Sequence, residues 1–302
     1  VTLMASRACL LPERGILRIS GPDAHSFLQG LLTQNMDLVS EDRAVYTLMQ
    51  TPQGKFLFDL FLIKDGDGYL ADCEAARAKE ILKRLFFYKL RAKVELADQS
   101  GNDAVAVLLD EGHESAPGAA EDGLCGVTYV DPRLAALGKR VILPRETAEL
   151  CLRDGGYELT GADAYHEKRM ALGVPEAGFE LLPEKTFPLE ANLDLLHAID
   201  FKKGCFVGQE VASRTKRRGQ VRKRILPAEI QGEEPAPGEA VTREGRTVGE
   251  VLSVLGSHAL IQIKTAQAAG KLQAGDSVLH IHLPDWADFT LETSGNEDEN
   301  DA

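Results

Sequence analysis

The chain has 302 residues, of which 44% are hydrophobic and 27% charged, enough for two or three domains and a large core. Its formal net charge of −13 argues against general nucleic-acid binding, because an acidic surface repels phosphates. No apolar run approaches the roughly eighteen residues of a membrane span, and no basic-then-apolar segment at the start predicts a secretory signal.

In chain order, residues 15–19 alternate as a short strand, and Gly21-Pro22-Asp23 makes a turn with Asp23 as a helix N-cap. Phe27, Leu28, Leu31 and Leu32 give that helix one apolar face. Residues 45–49 read as a strand. Thr51-Pro52-Gln53-Gly54 then turns into residues 56–63, whose unbroken strand formers predict burial on both faces. Asp65-Gly66-Asp67-Gly68 closes a hairpin, with 69–71 returning. Residues 75–90 predict an amphipathic helix with Ile81, Leu82, Leu85 and Phe86 on its inner side. Further strands are expected at 104–109, 126–130 and 140–143, with a loop over 114–123. Helices are expected at 146–153 and 165–172, the second ending at Gly173-Val174-Pro175. From 225 to 283 short strands separated by Gly, Pro and charged turns predict a small antiparallel barrel or sandwich, with a domain boundary near Arg224. Residues 296–301 are acidic, lack apolar side chains and read as disordered. The five cysteines (Cys9, Cys73, Cys125, Cys151 and Cys205) are scattered and odd in number, which suits a reducing compartment and argues against a disulfide framework.

Candidate chemistry concentrates at Lys203-Gly204-Cys205-Phe206-Val207-Gly208-Gln209-Glu210. Lys202 and Lys203 precede the thiol, and residues 208–213 read as the opening of a short helix. Positive charge and a helix N-terminus both favour a thiolate. The competing reading is a small buried hydrophobe, the usual fate of a free cysteine. The two stand even on these residues alone. A basic run follows, with seven Lys and Arg between Arg214 and Arg224, and reads either as solvated charge or as a surface for an acidic partner. Asp59 is the one charged residue between Lys55 and Lys64, within a strand expected to be buried. It therefore either pairs structurally or faces a ligand cavity. The histidines form no metal constellation in sequence, and His280 and His282 are expected to face solvent from a barrel strand. No phosphate-binding glycine loop is present.

Four stretches resemble the YgfZ-type folate-binding proteins, relatives of the glycine cleavage T-protein (aminomethyltransferase), and within them the branch that assists [4Fe-4S] maturation in mitochondria and related bacteria. They are Gly21-Pro22-Asp23-Ala24-His25-Ser26-Phe27-Leu28-Gln29-Gly30-Leu31-Leu32-Thr33-Gln34-Asn35, Gly54-Lys55-Phe56-Leu57-Phe58-Asp59, Pro188-Leu189-Glu190-Ala191-Asn192-Leu193-Asp194 and the cysteine stretch itself. The resemblance runs from about residue 10 to about residue 285. It implies an α+β, T-protein-like fold of mixed sheets and helices around a central channel, with a C-terminal antiparallel β-barrel. The expected divisions are 1–224 (with an internal boundary near 100), 225–290 for the barrel, and 291–302 as an acidic tail. It implies that Cys205 contributes one ligand to an iron–sulfur cluster bridged to an A-type carrier. It also places Asp59, Asn192 and Gln29 near a tetrahydrofolate-like ligand.

Two departures argue against aminomethyl transfer and for weak or vestigial folate binding. T-proteins carry two adjacent acids where this chain has Phe58 and Asp59, and an Arg-x-Glu-x-Gly stretch where it has Arg169-Met170-Ala171-Leu172-Gly173. The leading expectation is thus an accessory factor of cluster assembly rather than an enzyme. In it Lys203 favours the Cys205 thiolate, Gly204 and Gly208 admit close approach, and Gln209 and Glu210 complete the motif. Arg214, Lys216 and Arg217 form a docking surface. The alternative is a tetrahydrofolate-dependent one-carbon (aminomethyl) transferase or demethylase using Asp59. An inert binding module with a buried Cys205 and a tRNA-binding protein rank lower. No membrane partner is expected, and the compartment is the cytoplasm, or the mitochondrial matrix in a eukaryote.

Overall fold

The computed structural model describes residues 6–109, 115–121, 124–219 and 221–291. The acidic stretch 296–301, His113 and part of the 114–123 loop therefore lie outside the described residues.

Two sheets and a barrel carry the chain. A five-stranded antiparallel sheet runs in the order Val45–Gln50, Phe56–Asp65, Gly68–Glu74, Arg14–Ser20, Glu95–Asp98. Eight consecutive residues from Phe56 to Ile63 are buried, as an unbroken run of strand formers requires of a strand covered on both faces. A six-stranded sheet runs Glu158–Thr160, Arg7–Leu10, Asp103–Leu108, Lys139–Pro144, Val127–Val130, Ala120–Glu121, with one parallel pair between Arg7–Leu10 and Glu158–Thr160. The N-terminal strand thus belongs to the sheet built mainly from residues beyond 100, so the two sheets are interlocked in sequence. The last six strands, from Lys223–Gln231 to Ser277–Ile281, form a closed antiparallel barrel. Closure comes from Lys223–Gln231, which pairs with His258–Lys264 on one side and Ser277–Ile281 on the other, leaving no open edge.

Five helices pack on this frame: α1 (Ala24–Leu31), α2 (Ala78–Lys89), α3 (Ala148–Asp154), α4 (Asp163–Ala171) and α5 (Gln209–Arg218). Asp23 precedes α1, yet its side chain makes no cap; its Oδ2 accepts from the Lys93 amide at 2.7 Å and ties α1 to the chain after α2. In α2, Ala78, Ile81 and Leu85 are buried, while Phe86 is 69% exposed, correcting its expected inward placement. The expectation of no disulfide is also corrected. Cys125 and Cys151 are paired, with Cα atoms 6.3 Å apart, joining α3 to the chain before Val127–Val130.

The longest described stretch without helix or strand, residues 172–208, sends much of its apolar content into the core, although its Cys205 end is exposed. Val174, Leu181, Leu189, Leu193, Leu196 and Ile199 all enter the core cluster shared by both sheets and by Ile225 and Leu260 of the barrel. Its backbone is satisfied by the neighbouring motifs. Phe56 N donates to Thr186 O at 2.9 Å, and Glu184 N to Phe56 O at 2.7 Å. Among the described residues, no helix is long and apolar enough to cross a membrane.

Candidate functional site

Cys205 sits in a loop four residues ahead of the start of α5 and is exposed, whereas the other free cysteines, Cys9 and Cys73, are buried. Exposure removes the reading of Cys205 as a buried hydrophobe. Burial is the leading cause that pushes the Cys9 thiol up to about 12 and the Cys73 thiol far above the usual range.

Two of the other three motif stretches converge to hold this loop. Lys203 Nζ donates to Leu32 O at 2.5 Å and Gln34 O at 2.8 Å, anchoring the loop to the end of α1. Burial pushes the Lys203 amine down to about 8, against the opposing pull of Asp200 and Asp37. Its ammonium is thus committed to backbone carbonyls, and its role is to position the loop. Gln34 Nε2 donates to His197 O and Thr33 Oγ1 to Ala198 O, both at 2.6 Å, fixing the approach to Cys205. On the far side, Gly208 adopts φ 83°, and a Cβ there would lie 2.7 Å from Thr51 O and from Gln50 Oε1. Only glycine fits that contact. The Gly54 turn closes on the same point, since a Cβ on Gly54 would meet Val211 at 2.8 Å and Gly208 O at 3.3 Å. Gly204, at φ 100°, is open to solvent and would meet nothing, so its requirement is conformational alone. Beneath the loop, Gln50 is fully buried, and its side-chain amide finds no hydrogen-bond partner among the described residues.

The basic run divides on inspection. Arg214 and Arg217 are exposed on α5, and Arg217 Nε donates to Ser213 O at 3.3 Å. Lys216 is turned toward Asp194 at 3.5 Å and lies over the Phe201 ring at 4.6 Å, tying α5 to the irregular segment. Arg224 is buried, with Nη1 donating to Leu189 O, Asn192 Oδ1 and Asp194 Oδ1. Glu210 in the first turn of α5 and the bases toward its end complement the helix dipole. Gln209 is half-buried where α5 begins, its amide donating to Phe206 O at 3.2 Å.

Among the described residues, the three placed near a folate-like ligand share no hydrogen bond with one another, and each is bonded to partners of its own. Gln29 Nε2 donates to Asn35 Oδ1 at 3.0 Å and its Oε1 accepts from Met36 N at 2.8 Å, which braces the turn after α1. Asn192 is fully buried at φ 61°, a region that asparagine tolerates, and its Nδ2 donates to Ile225 O at 2.7 Å. Asp59 is 1% exposed; its Oδ1 lies 3.4 Å from Arg14 Nη1 and its Oδ2 accepts from Tyr46 OH at 3.2 Å. Of the two readings of this carboxylate, the structure shows the paired one.

Asp59 is the edge of a larger buried network that sequence reasoning missed. Asp72 receives Arg14 Nε at 2.7 Å and Arg140 Nη2 at 2.5 Å. Arg133 forks onto Asp131 at 3.0 and 2.8 Å and reaches Glu176 at 3.2 Å, while Tyr165 OH bonds Glu176 as well. The guanidiniums of Arg14, Arg133 and Arg140 surround the Phe61 ring, 4.0 to 5.3 Å from its centroid. Burial pushes the Asp59 carboxyl up, Glu176 and Asp72 add to that, and Arg14 and Arg133 oppose it. Burial also raises the Glu176 carboxyl, but Arg133, Arg14, Arg169 and Arg140 together outweigh it and hold it far below the usual carboxylate range. The available signal was a charged residue inside an otherwise apolar run, which Asp59 shows, whereas Asp72 lies two residues from Glu74 and Arg140 directly follows Lys139.

His280 and His282 are exposed, as expected, and no group of three metal-ligating side chains occurs among the described residues.

Comparison with known proteins places this geometry. The chain resembles the glycine cleavage system aminomethyltransferase T from Bartonella henselae in fold, with a TM-score of 0.76 over 95% of this chain and 88% of that one at 17% identity. The fold is therefore T-protein-like. Residues 222–289 match the family described as CAF17, C-terminal beta-barrel domain. The Neurospora crassa protein named "Iron-sulfur cluster assembly factor IBA57 homolog, mitochondrial" is 35% identical over 250 residues, which are 75% of this chain and 54% of that longer protein. The Pyricularia oryzae protein of the same name is 35% identical over 82% of this chain and 69% of its own. Both relatives are named as mitochondrial, which is consistent with the matrix alternative and lends the cytoplasmic one no support. The Homo sapiens iron-sulfur cluster assembly factor IBA57, mitochondrial, is 31% identical over 94% of this chain and 86% of its own length, and on that evidence the chain belongs to the IBA57 family.

Proposed function

We propose that this protein assists iron–sulfur cluster assembly, acting late in the maturation of [4Fe-4S] proteins, with Cys205 as the residue that engages the cluster. The observation that carries this reading is the exposure of Cys205 on a loop held from both sides by two of the other motifs. Iron–sulfur clusters are held by several thiolates, typically about four. One exposed cysteine supplies a share, so the remaining ligands come from a partner, and an A-type carrier is the partner this reading requires. In the exchange the Cys205 sulfur bonds to a cluster iron, one carrier thiolate leaves that iron, and the proton released by Cys205 passes to the departing thiolate. No electron moves. Arg214 and Arg217 present positive charge beside this site, suited to an acidic carrier surface and to the negative charge of a thiolate-ligated cluster. The one-carbon transferase reading draws no support from Asp59, whose two oxygens are taken by Arg14 and Tyr46.

The test is anaerobic mixing with an A-type carrier bearing a [2Fe-2S] cluster, comparing the wild type with Cys205→Ala. Complex formation with a shifted cluster spectrum, lost in the variant, is the expected result. No complex, or an identical spectrum with Cys205→Ala, would overturn the reading.

A further inference from the structure

The apolar tip of α2 has no place in the cluster-assembly site and no packing role. Ala78, Ile81 and Leu85 are its buried face. Phe86, Phe87 and Leu90 are 69%, 73% and 88% exposed, the three most exposed large hydrophobic side chains of the described residues. Phe87 packs edge-on against Tyr88 at 5.7 Å, which stiffens the tip without covering it. Leu90 ends the helix at φ 46°, a conformation strained for a branched side chain, so the backbone bends at the residue that protrudes furthest.

The charge around this tip is opposite to that of the whole molecule. Residues 79–93 hold Lys79, Lys83, Arg84, Lys89, Arg91 and Lys93 against one acid, Glu80, in a chain of net charge −13. Glu80 is itself bound by Arg77, which reaches both its oxygens at 3.0 Å. Lys79, Lys83, Lys89, Arg91 and Lys93 are partly or fully exposed, and Lys89 lies 5.8 Å from the Phe86 ring centroid. Large exposed apolar side chains within a collar of Lys and Arg have the chemistry of an interfacial wedge: the rings enter the headgroup boundary while the cations meet anionic lipid.

We propose that the α2 tip docks this protein peripherally on an anionic membrane surface. The occupant is lipid because three highly exposed apolar side chains stand within a local basic collar, so the tip attracts an anionic plane while the acidic remainder stays in solution. This revises the expectation of no membrane partner, which rested on the absence of spanning segments.

The experiment is flotation of the intact protein with phosphatidylcholine vesicles, with and without phosphatidylglycerol, at low and high salt, alongside sedimentation velocity. The wild type is expected to float with the anionic vesicles only and to be released by salt. Phe86→Ser/Phe87→Ser/Leu90→Ser is expected to lower partitioning about ten-fold or more. Lys83→Gln/Lys89→Gln/Arg91→Gln is expected to weaken binding and its salt response. All six positions are partly or fully exposed and none forms a hydrogen bond or ion pair with the Cys205 loop, so circular dichroism and carrier binding should match the wild type. Absence of flotation, equal binding to neutral vesicles, or undiminished binding of the serine variant would each overturn the proposal. Wild-type self-association abolished by the serine variant, without flotation, would overturn it in favour of a second copy as the occupant.

Discussion

At the scale of single residues, the loop separates cysteines and glycines that look alike in sequence. Cys205 is exposed while Cys9 and Cys73 are buried, with the Cys9 thiol pushed up to about 12. Brief alkylation of the native protein without reductant near pH 7 should therefore place one adduct per chain, on Cys205, because thiolate fraction and access govern the rate. Peptide mass spectrometry showing comparable labelling of Cys9 or Cys73 would contradict the burial pattern. The two glycines differ in the same way. Both hold positive φ, but a Cβ on Gly204 meets nothing and one on Gly208 meets Thr51 O and Gln50 at 2.7 Å. Gly204→Ala should cost about 1–2 kcal/mol in a denaturant titration, the strain of the left-handed region alone. Gly208→Ala should cost clearly more, since the Thr51 carbonyl belongs to backbone that cannot yield cheaply. Equal costs would mean that the Gly54 and Gly208 turns do not press on one another.

At the scale of elements, what the sequence made legible was whatever follows from periodicity or from turn chemistry. The strand Phe56–Asp65 was readable from its unbroken apolar run, and the barrel from its short strands and glycine turns. The inner face of α2 was readable at Ile81 and Leu85 but not at Phe86, because helical spacing does not say where the neighbouring sheet ends. Residues 172–208 gave up their motifs but not their packing. They have no period, and they are held by backbone hydrogen bonds to Thr33 and Phe56 and by side-chain bonds to the first barrel strand, all distant in sequence. Asn192 shows the consequence. It was expected near a ligand, yet its Nδ2 is spent on Ile225 O and its Oδ1 accepts from Arg224, so it joins the irregular segment to the first barrel strand. Asn192→Ala should destabilise the protein by about 1–3 kcal/mol, because it leaves a buried carbonyl and a buried guanidinium short of partners. An unchanged unfolding midpoint would show that this brace carries no load.

At the scale of the whole molecule, the two sheets meet across charge rather than across hydrocarbon alone. Asp72 from one sheet binds Arg140 from the other, and Arg14 links Asp72 to Asp59 around Phe61. Sequence exposed only Asp59, since a carboxylate in an apolar run is visible whereas Arg14, which answers it, comes from a strand 45 residues away. Removing one partner of a buried network strands the others, typically at about 3–5 kcal/mol. Asp72→Asn should thus lower stability by that order, as it weakens two guanidinium contacts at once. Asp59 differs, because burial raises its proton affinity in the folded state. A carboxyl whose folded value is raised contributes stability below its ordinary value of 3.8 and loses it as pH rises through the raised value, so Asp59→Asn should cost little near neutral pH. Glu176 has the reverse sign. Its folded value lies below the ordinary 4.5, so its contribution is complete above about that pH and is lost as pH falls toward the folded value. Thermal unfolding followed from pH 7 to pH 3 should show a steep acid limb in the wild type, less steep in Glu176→Gln, which begins lower but has one fewer carboxylate to protonate. Parallel limbs would place the acid sensitivity elsewhere and would mean that the arginine cluster does not hold Glu176 in its ionised form.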